Sequence, residues 1–270
     1  MKFAVCTWTF GNQSLAKTAS TLAELGIDGV ELLGDLDLYS AQEAAQILDD
    51  HGLDVFSLTP TDADISHPDA GIRQQAVDYY YRLIDFAAEL DKPLVSCHGL
   101  VGRITPLSSM AEENGLLLES VSQIGGYAQQ NNVNLVFEVL NRYETHQINN
   151  HAEAINLLEK LSLSNVGILL DAYHMNIEET DPAAALTTTG ERLWLYHAAD
   201  SNRAGIGHGH TDFPAQLDAL NTIGYNGPVI FECTAPGPNP FTPEKQDGWR
   251  DILKTYIHDS LVWFKQRTSS

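Results

Sequence analysis

Short apolar runs rich in β-branched residues alternate with longer amphipathic stretches along the whole chain. Eight of these runs are almost continuously hydrophobic: residues 3–7, 29–33, 54–59, 94–98, 135–140, 166–171, 193–199 and 229–233. That is the pattern of parallel strands covered on both faces, since no side of such a strand meets water. Several intervening stretches carry helix punctuation. Residues 15–25 run up to Gly26, a left-handed C-terminal cap. Ser40-Ala41-Gln42-Glu43 has the spacing of a capping box, with a stop at Gly52. Asp181-Pro182 supplies an N-cap and a first-turn proline, closed by Gly190. Residues 215–223 stop before Gly224, and a last helix is predicted over 248–265.

Eight strand–helix units in 270 residues give about 34 residues per unit, the repeat of a closed (β/α)8 TIM barrel. An open doubly wound sheet would place a glycine-rich phosphate loop after its first strand. Here that turn reads Trp8-Thr9-Phe10-Gly11-Asn12. No linker or compositional break divides the chain, so residues 1–270 are read as one α/β barrel domain. The stretch Pro236-Gly237-Pro238-Asn239-Pro240 follows the eighth strand and is read as an ordered functional loop.

Composition narrows the class of partner. With 36 acidic against 15 basic residues the formal charge is -21, which disfavours nucleic acid and anionic membranes. At 43% hydrophobic residues the chain can build a large core, and no apolar run is long enough to span a bilayer. Three scattered cysteines (Cys6, Cys97, Cys233) make no disulfide framework. With a first segment unlike a signal peptide, they lead to the expectation of a cytoplasmic protein.

In a barrel of this kind chemistry gathers at the C-terminal strand ends, so polar residues there are informative. Glu138, Asp171, His197 and Glu232 end or nearly end four successive runs, at intervals of 33, 26 and 35 residues. They therefore sit at similar heights and can converge. Burying three carboxylates together costs several kcal/mol per ion, at about that order, unless something compensates. A divalent cation does so, and an oxygen-rich set with one imidazole suits Mn²⁺, Mg²⁺ or Co²⁺. The alternative is that an arginine or backbone donors satisfy each acid separately.

His174, three residues past Asp171, and Arg203, six past His197, would overhang the barrel mouth and hold substrate oxygens. Spacing alone leaves Glu144 open between a solvated loop acid and a ligand contact. Glu31 and His98 are open between support of the site and a structural role. Trp8 and Phe10 are candidates to wall the pocket, or simply core. His208 and His210 lie in the glycine-rich 205–210 stretch and are weaker ligand candidates, and Cys97 and Cys233 read as inert core thiols.

The segments Phe137-Glu138-Val139-Leu140-Asn141-Arg142-Tyr143-Glu144-Thr145, Asp171-Ala172-Tyr173-His174-Met175-Asn176-Ile177-Glu178-Glu179 and Ala199-Asp200-Ser201-Asn202-Arg203 resemble the ketose 3-epimerases (tagatose and psicose 3-epimerases), among the xylose isomerase-like TIM barrels. The resemblance spans the chain in architecture and is strongest from Glu138 to Glu232. It implies one divalent ion, Mn²⁺ before Mg²⁺ or Co²⁺, on Glu138, Asp171, His197 and Glu232, with no organic cofactor. It further implies that Glu138 and Glu232 act as the acid/base pair, and that Glu144, His174 and Arg203 contact a sugar. By analogy it implies a homo-oligomer, a dimer or tetramer. The chain departs from many relatives at Ile206-Gly207, where they carry a Pro-Gly step, and its first half holds no motif that selects one sugar.

Three other readings share this barrel. An aldose–ketose or hydroxypyruvate-type isomerase would use the same enediolate chemistry. A dehydratase or an endonuclease IV-like phosphodiesterase is a second class, the nuclease opposed by the charge of -21. The third is a non-catalytic sugar-binding barrel. Phosphorylated substrates are disfavoured, because only Arg103, Arg142, Arg203 and Lys245 lie near predicted strand ends.

Overall fold

A computed structural model describes residues 1–268. Its eight strands are β1 (Phe3–Cys6), β2 (Gly29–Leu33), β3 (Asp54–Thr59), β4 (Leu94–Cys97), β5 (Leu135–Glu138), β6 (Val166–Asp171), β7 (Leu193–Ala198) and β8 (Val229–Phe231). All neighbours pair in parallel, and β8 returns to β1, closing the barrel. The helices are α1 (Leu15–Leu25), α2 (Ala41–Asp49), α3 (Ala70–Glu89), α4 (Met110–Gln130), α5 (His151–Leu161), α6 (Ala172–Glu178), α7 (Pro182–Thr189), α8 (Phe213–Thr222) and α9 (Trp249–Thr268). Among the described residues, no helix is long and apolar enough to cross a membrane.

The strands are hydrophobic on both faces because each face has its own core. Ala4, Cys6, Val136, Leu169, Leu195 and Ile230 fill the barrel interior, while Phe3, Val5, Phe137, Leu170 and Phe231 point outward to the helices. Helix ends follow the local signals. Ser40 and Glu43 form the capping box, Gly26 takes the left-handed conformation, and Asp181 accepts from the amide of Ala184. Expected and observed strands differ at their exits. β1, β4, β5, β7 and β8 stop one or two residues before the apolar run does. There the backbone turns out of the barrel to carry the residues of the mouth.

Phe10 does not wall a pocket. It lies in a short 3-10 turn (Thr7–Phe10) and is fully buried in the outer core, whereas Trp8 in the same turn faces the mouth.

One buried charge cluster fastens the loops after β3, β4 and β5 to each other. Glu113 on α4 accepts from the Arg103 guanidinium, from His146 Nε2 (2.8 Å) and from the amides of Leu107 (2.6 Å) and Ser108 (2.8 Å). Arg103 also reaches Asp64 at 2.8 Å. Burial raises the Glu113 pKa, but the Arg103 and amide hydrogen bonds outweigh it and hold the carboxyl at about 2 against an ordinary 4.5. A folded-state pKa below the unfolded one stabilises above the unfolded value and loses that stability as pH falls through the folded value. Glu113 is therefore expected to contribute on the order of 3 kcal/mol at neutral pH, lost as acidity increases from pH 4.5 toward 2. Urea unfolding of the Glu113→Gln variant at pH 7 and pH 3 checks this. The deficit against the parent protein should shrink in acid, and an equal deficit at both pH values contradicts the assignment.

Candidate active site

Four strand exits converge on one buried centre. Glu138 and Asp171 are the last residues of β5 and β6, His197 is next to last on β7, and Glu232 follows β8. The strand register sets them level: Asp171 pairs with His197, Glu138 pairs with Leu169, and the Glu232 amide bonds to the carbonyl of Ala198. All four are at most 5% exposed. The imidazole Nδ1 of His197 lies 3.7 Å from Glu138 Oε1 and 3.6 Å from Glu232 Oε2.

Proton placement separates ligands from donors. His197 Nε2 lies 3.2 Å from Glu31 Oε2, a carboxylate that only accepts, so Nε2 carries a proton and Nδ1 is the nitrogen turned toward the acids. Glu31 is itself held by the Cys6 thiol (3.1 Å) and the Ser57 hydroxyl (2.6 Å), its register neighbours on β1 and β3. His174 is the opposite case. Its Nδ1 accepts from the Asn141 amide at 3.2 Å, so the proton is on Nε2, 3.6 Å from Asp171 Oδ2 and 4.0 Å from Glu144 Oε2. His174 thus presents a donor to the mouth and no free lone pair. Three buried atoms aimed at the centre have no hydrogen-bond partner among the described residues: Asp171 Oδ2, His197 Nδ1 and His174 Nε2.

Among the described residues, candidate ligand atoms group in two overlapping sets, each within 4.8 Å: Glu138, Asp171, His174 and Glu232, and Cys6, Glu31, His197 and Glu232. His174 drops out because Nε2 is protonated, and Cys6 because burial pushes its thiol well above the ordinary range. Glu31 is spent on His197. Glu138, Asp171, His197 and Glu232 remain, three carboxylates and one imidazole, a donor set that fits a hard to borderline divalent ion.

The site shifts its charged groups in different directions. Burial pushes Glu138 well above the usual carboxylate range and Asp171 up to about 7. For Glu232 burial is outweighed by Arg203 and His197, which hold it well below. Burial works against protonation of His197, but Glu31 and Glu232 raise it well above its ordinary value.

Arg203 ties the mouth together. It lies 3.0 Å from Glu144 and 2.9 Å from Glu232, with its guanidinium over the rings of Tyr173, Phe241 and Trp8. Its backbone is left-handed (φ 62°), pinned by bonds from its amide to Asp200 and from the Thr234 amide to its carbonyl. A cavity of about 570 Å³ opens above, walled in part by Trp8, His98, Glu138, Glu144, Arg203 and Phe241. His208 and His210 lie outside it, paired with Asp259 and Ser201 at the surface. Cys97 and Cys233 are buried thiols pushed by burial up to about 12, hence inert.

Two contributors escape a reading by motif. Trp8 is more than a wall, because its indole N–H donates to Glu232 Oε1 at 3.2 Å. Phe241 stacks on Trp8 at 5.7 Å, carried there by the proline-rich loop after β8. The order Pro-Gly-Pro-Asn-Pro-Phe was the one available signal for it.

Glu31→Gln is expected to weaken Mn²⁺ binding about 10–100-fold, because the acceptor that orients His197 loses its charge. Titration calorimetry measures it, and unchanged affinity would mean that Glu31 serves the fold alone.

The chain resembles known proteins in sequence and in fold. Residues 19–257 match the family described as xylose isomerase-like TIM barrel. A ketose 3-epimerase of Arthrobacter globiformis is 34% identical over 232 residues, 83% of this chain and 80% of that protein. A 3-dehydro-D-guloside 4-epimerase of Escherichia coli (strain K12) is 28% identical over 273 residues, 98% of this chain and 99% of the relative. The crystal structure of a D-psicose 3-epimerase from Clostridium cellulolyticum H10 shares the fold, with a TM-score of 0.89 at 24% identity over 98% of this chain and 99% of that one. From the family match and the relative at 34% identity, the chain belongs to the xylose isomerase-like TIM barrels, in the branch of the ketose 3-epimerases.

Proposed function

We propose that this protein is a divalent-metal-dependent isomerase that inverts C3 of a free ketose, with Glu138 and Glu232 as the proton-transfer pair. The observation that carries the reading is the trio of buried, unpartnered atoms on Asp171, His197 and His174, aimed at one centre between two glutamates. Glu138, Asp171, His197 and Glu232 would hold the ion, Mn²⁺ before Mg²⁺ or Co²⁺. When bound, it supplies a Lewis acid that makes a C–H beside a ketone acidic enough to lose its proton.

The chain's own residues do the rest. One glutamate takes the C3 proton, and the other delivers one to the opposite face of the enediolate, which inverts that carbon. Trp8 and Arg203 hold Glu232 by its two oxygens, fixing its aim. The His174 N–H and the Arg203 guanidinium meet the substrate oxygens beside the reacting carbon, with Glu144 steadying Arg203. Phe241 and Trp8 cover the mouth and exclude water.

A free sugar fits better than a phosphorylated one. Both cations lining the cavity are engaged, Arg203 with Glu144 and Glu232, and Lys245 with the carbonyls of Pro240 and Thr242. Arg142 is paired with Glu178, and Arg103 with Asp64 and Glu113.

Incubating a panel of ketohexoses and ketopentoses with the Mn²⁺-loaded protein in heavy water tests this reading. Deuterium is expected at C3 together with the C3 epimer. Deuterium at C1 or C2 with an aldose product would identify a 1,2-isomerase instead, and no exchange in any sugar would leave a binding barrel.

A further inference from the structure

A second recess adjoins the catalytic cavity. It occupies about 850 Å³ between the loop after β1, the start of α1, the loop after β2 and α2. The two share Trp8, Gly11, Asn12 and Leu33 as a common wall. Trp8 is the hinge of the arrangement, since its indole N–H touches Glu232 while its side chain borders both spaces.

We propose that this recess is a subsite for a neutral glycosyl group attached to the far end of the ketose, so that a ketose carrying such a group is turned over better than the free ketose that the same centre accepts. The inference rests on the reading of the catalytic centre as a keto-sugar epimerase. Direction supports it. Glu138, Asp171, His197 and Glu232 come from β5 to β8, so the part of a substrate remote from the reacting carbons lies over β1 to β4. The recess leaves the cavity on that side.

Size supports it too, because a single ketose is accommodated by the 570 Å³ of the catalytic cavity alone. Lining chemistry sets the class of group. Leu15, Leu33, Leu38 and Ile47 give an apolar floor, and Trp8 and Tyr39 add ring surface that suits the C–H faces of a pyranose. Asn12, Gln13, Ser14 and Gln46 line the same space with amides and a hydroxyl. The charged residues of the lining are Asp35 and Glu43, both acids, and no lysine or arginine belongs to it. An anionic substituent is therefore disfavoured and a hydroxylated neutral one favoured.

The test compares each free ketohexose with its 6-O-α-D-glucosyl derivative, isomaltulose in the case of fructose, on the Mn²⁺-loaded parent protein and on Ala16→Trp. Ala16 is an exposed residue of the recess in the first turn of α1, away from the catalytic groups, so the indole fills the recess without touching the centre. In the parent, kcat/KM for the glucosyl derivative is expected to exceed that for the free sugar by about tenfold or more, because remote binding is realised in the transition state. In Ala16→Trp that preference should vanish while turnover of the free ketohexose stays at the parental rate. Equal kcat/KM for both sugars in the parent, or a preference that survives Ala16→Trp, overturns the subsite. So does a variant whose change in sedimentation coefficient shows that the recess seats a second copy of the chain. Absence of turnover for every sugar, free or extended, would instead overturn the epimerase reading beneath it.

Discussion

Glu138→Gln is expected to lower kcat by about 10³-fold or more, in both directions of the reaction. The substitution removes the charge and the proton acceptor but keeps the shape and one carbonyl oxygen. Two functions fail together. The amide cannot take or return the C3 proton, and it is a poorer ligand than the carboxylate it replaces. Measuring kcat at saturating Mn²⁺, with bound metal quantified in the same sample, separates the two. The loss is expected to persist when the site is fully loaded. Full restoration by excess metal would make Glu138 a ligand only, and unchanged turnover would remove it from the chemistry. Burial already favours the protonated form of Glu138 while Arg203 and His197 favour the ionised form of Glu232, so the two acids are electrostatically unequal before any substrate arrives.

Removal of the divalent ion has the second large effect. Extensive dialysis against a chelator should abolish epimerisation, and Mn²⁺ should restore it. A folded-state ligand at 100 times its Kd adds about 2.7 kcal/mol to stability. For a chain of this size that corresponds to an increase in Tm of about 5–10 °C. Differential scanning calorimetry with and without Mn²⁺ measures the change. The same increase should be much smaller in Asp171→Asn, since Asp171 Oδ2 has no hydrogen-bond partner among the described residues to take the place of an ion. A Tm indifferent to Mn²⁺ would show that the centre does not take a cation.

The barrel and its centre were legible in the sequence for a shared reason. Parallel strands covered on both faces are continuous apolar runs, so an acid or histidine at the end of one is conspicuous, and the repeat length puts successive ends level. Glu138, Asp171, His197 and Glu232 stand out by that rule, and the pairing of Asp171 with His197 shows the levelling directly. Glu144 and Arg203 fall on loops and His174 on the short helix α6 just past β6, where strand spacing says little. Local motifs placed them at the mouth, where the Arg203 ion pair joins Glu144 and the Asn141 amide holds His174.

Elsewhere the sequence is silent for physical reasons. Phe10 and Trp8 are two residues apart in a 3-10 turn, and nothing in their composition says which one faces the core. The bonds joining Cys6, Glu31, Ser57 and His197 link four strands and depend on barrel closure. Phe241 reaches Trp8 only because the loop after β8 folds back over the mouth.

The central claim is a single cation gripped by four side chains, and diffraction from crystals grown with Mn²⁺, recorded for anomalous scattering at the manganese edge, tests it most directly. One peak is expected within about 2.0–2.6 Å of carboxylate oxygens of Glu138, Asp171 and Glu232 and of Nδ1 of His197, with Nε2 still on Glu31. A peak at Cys6 and Glu31, a peak at the surface histidines His208 and His210, or no peak at the strand exits would contradict it.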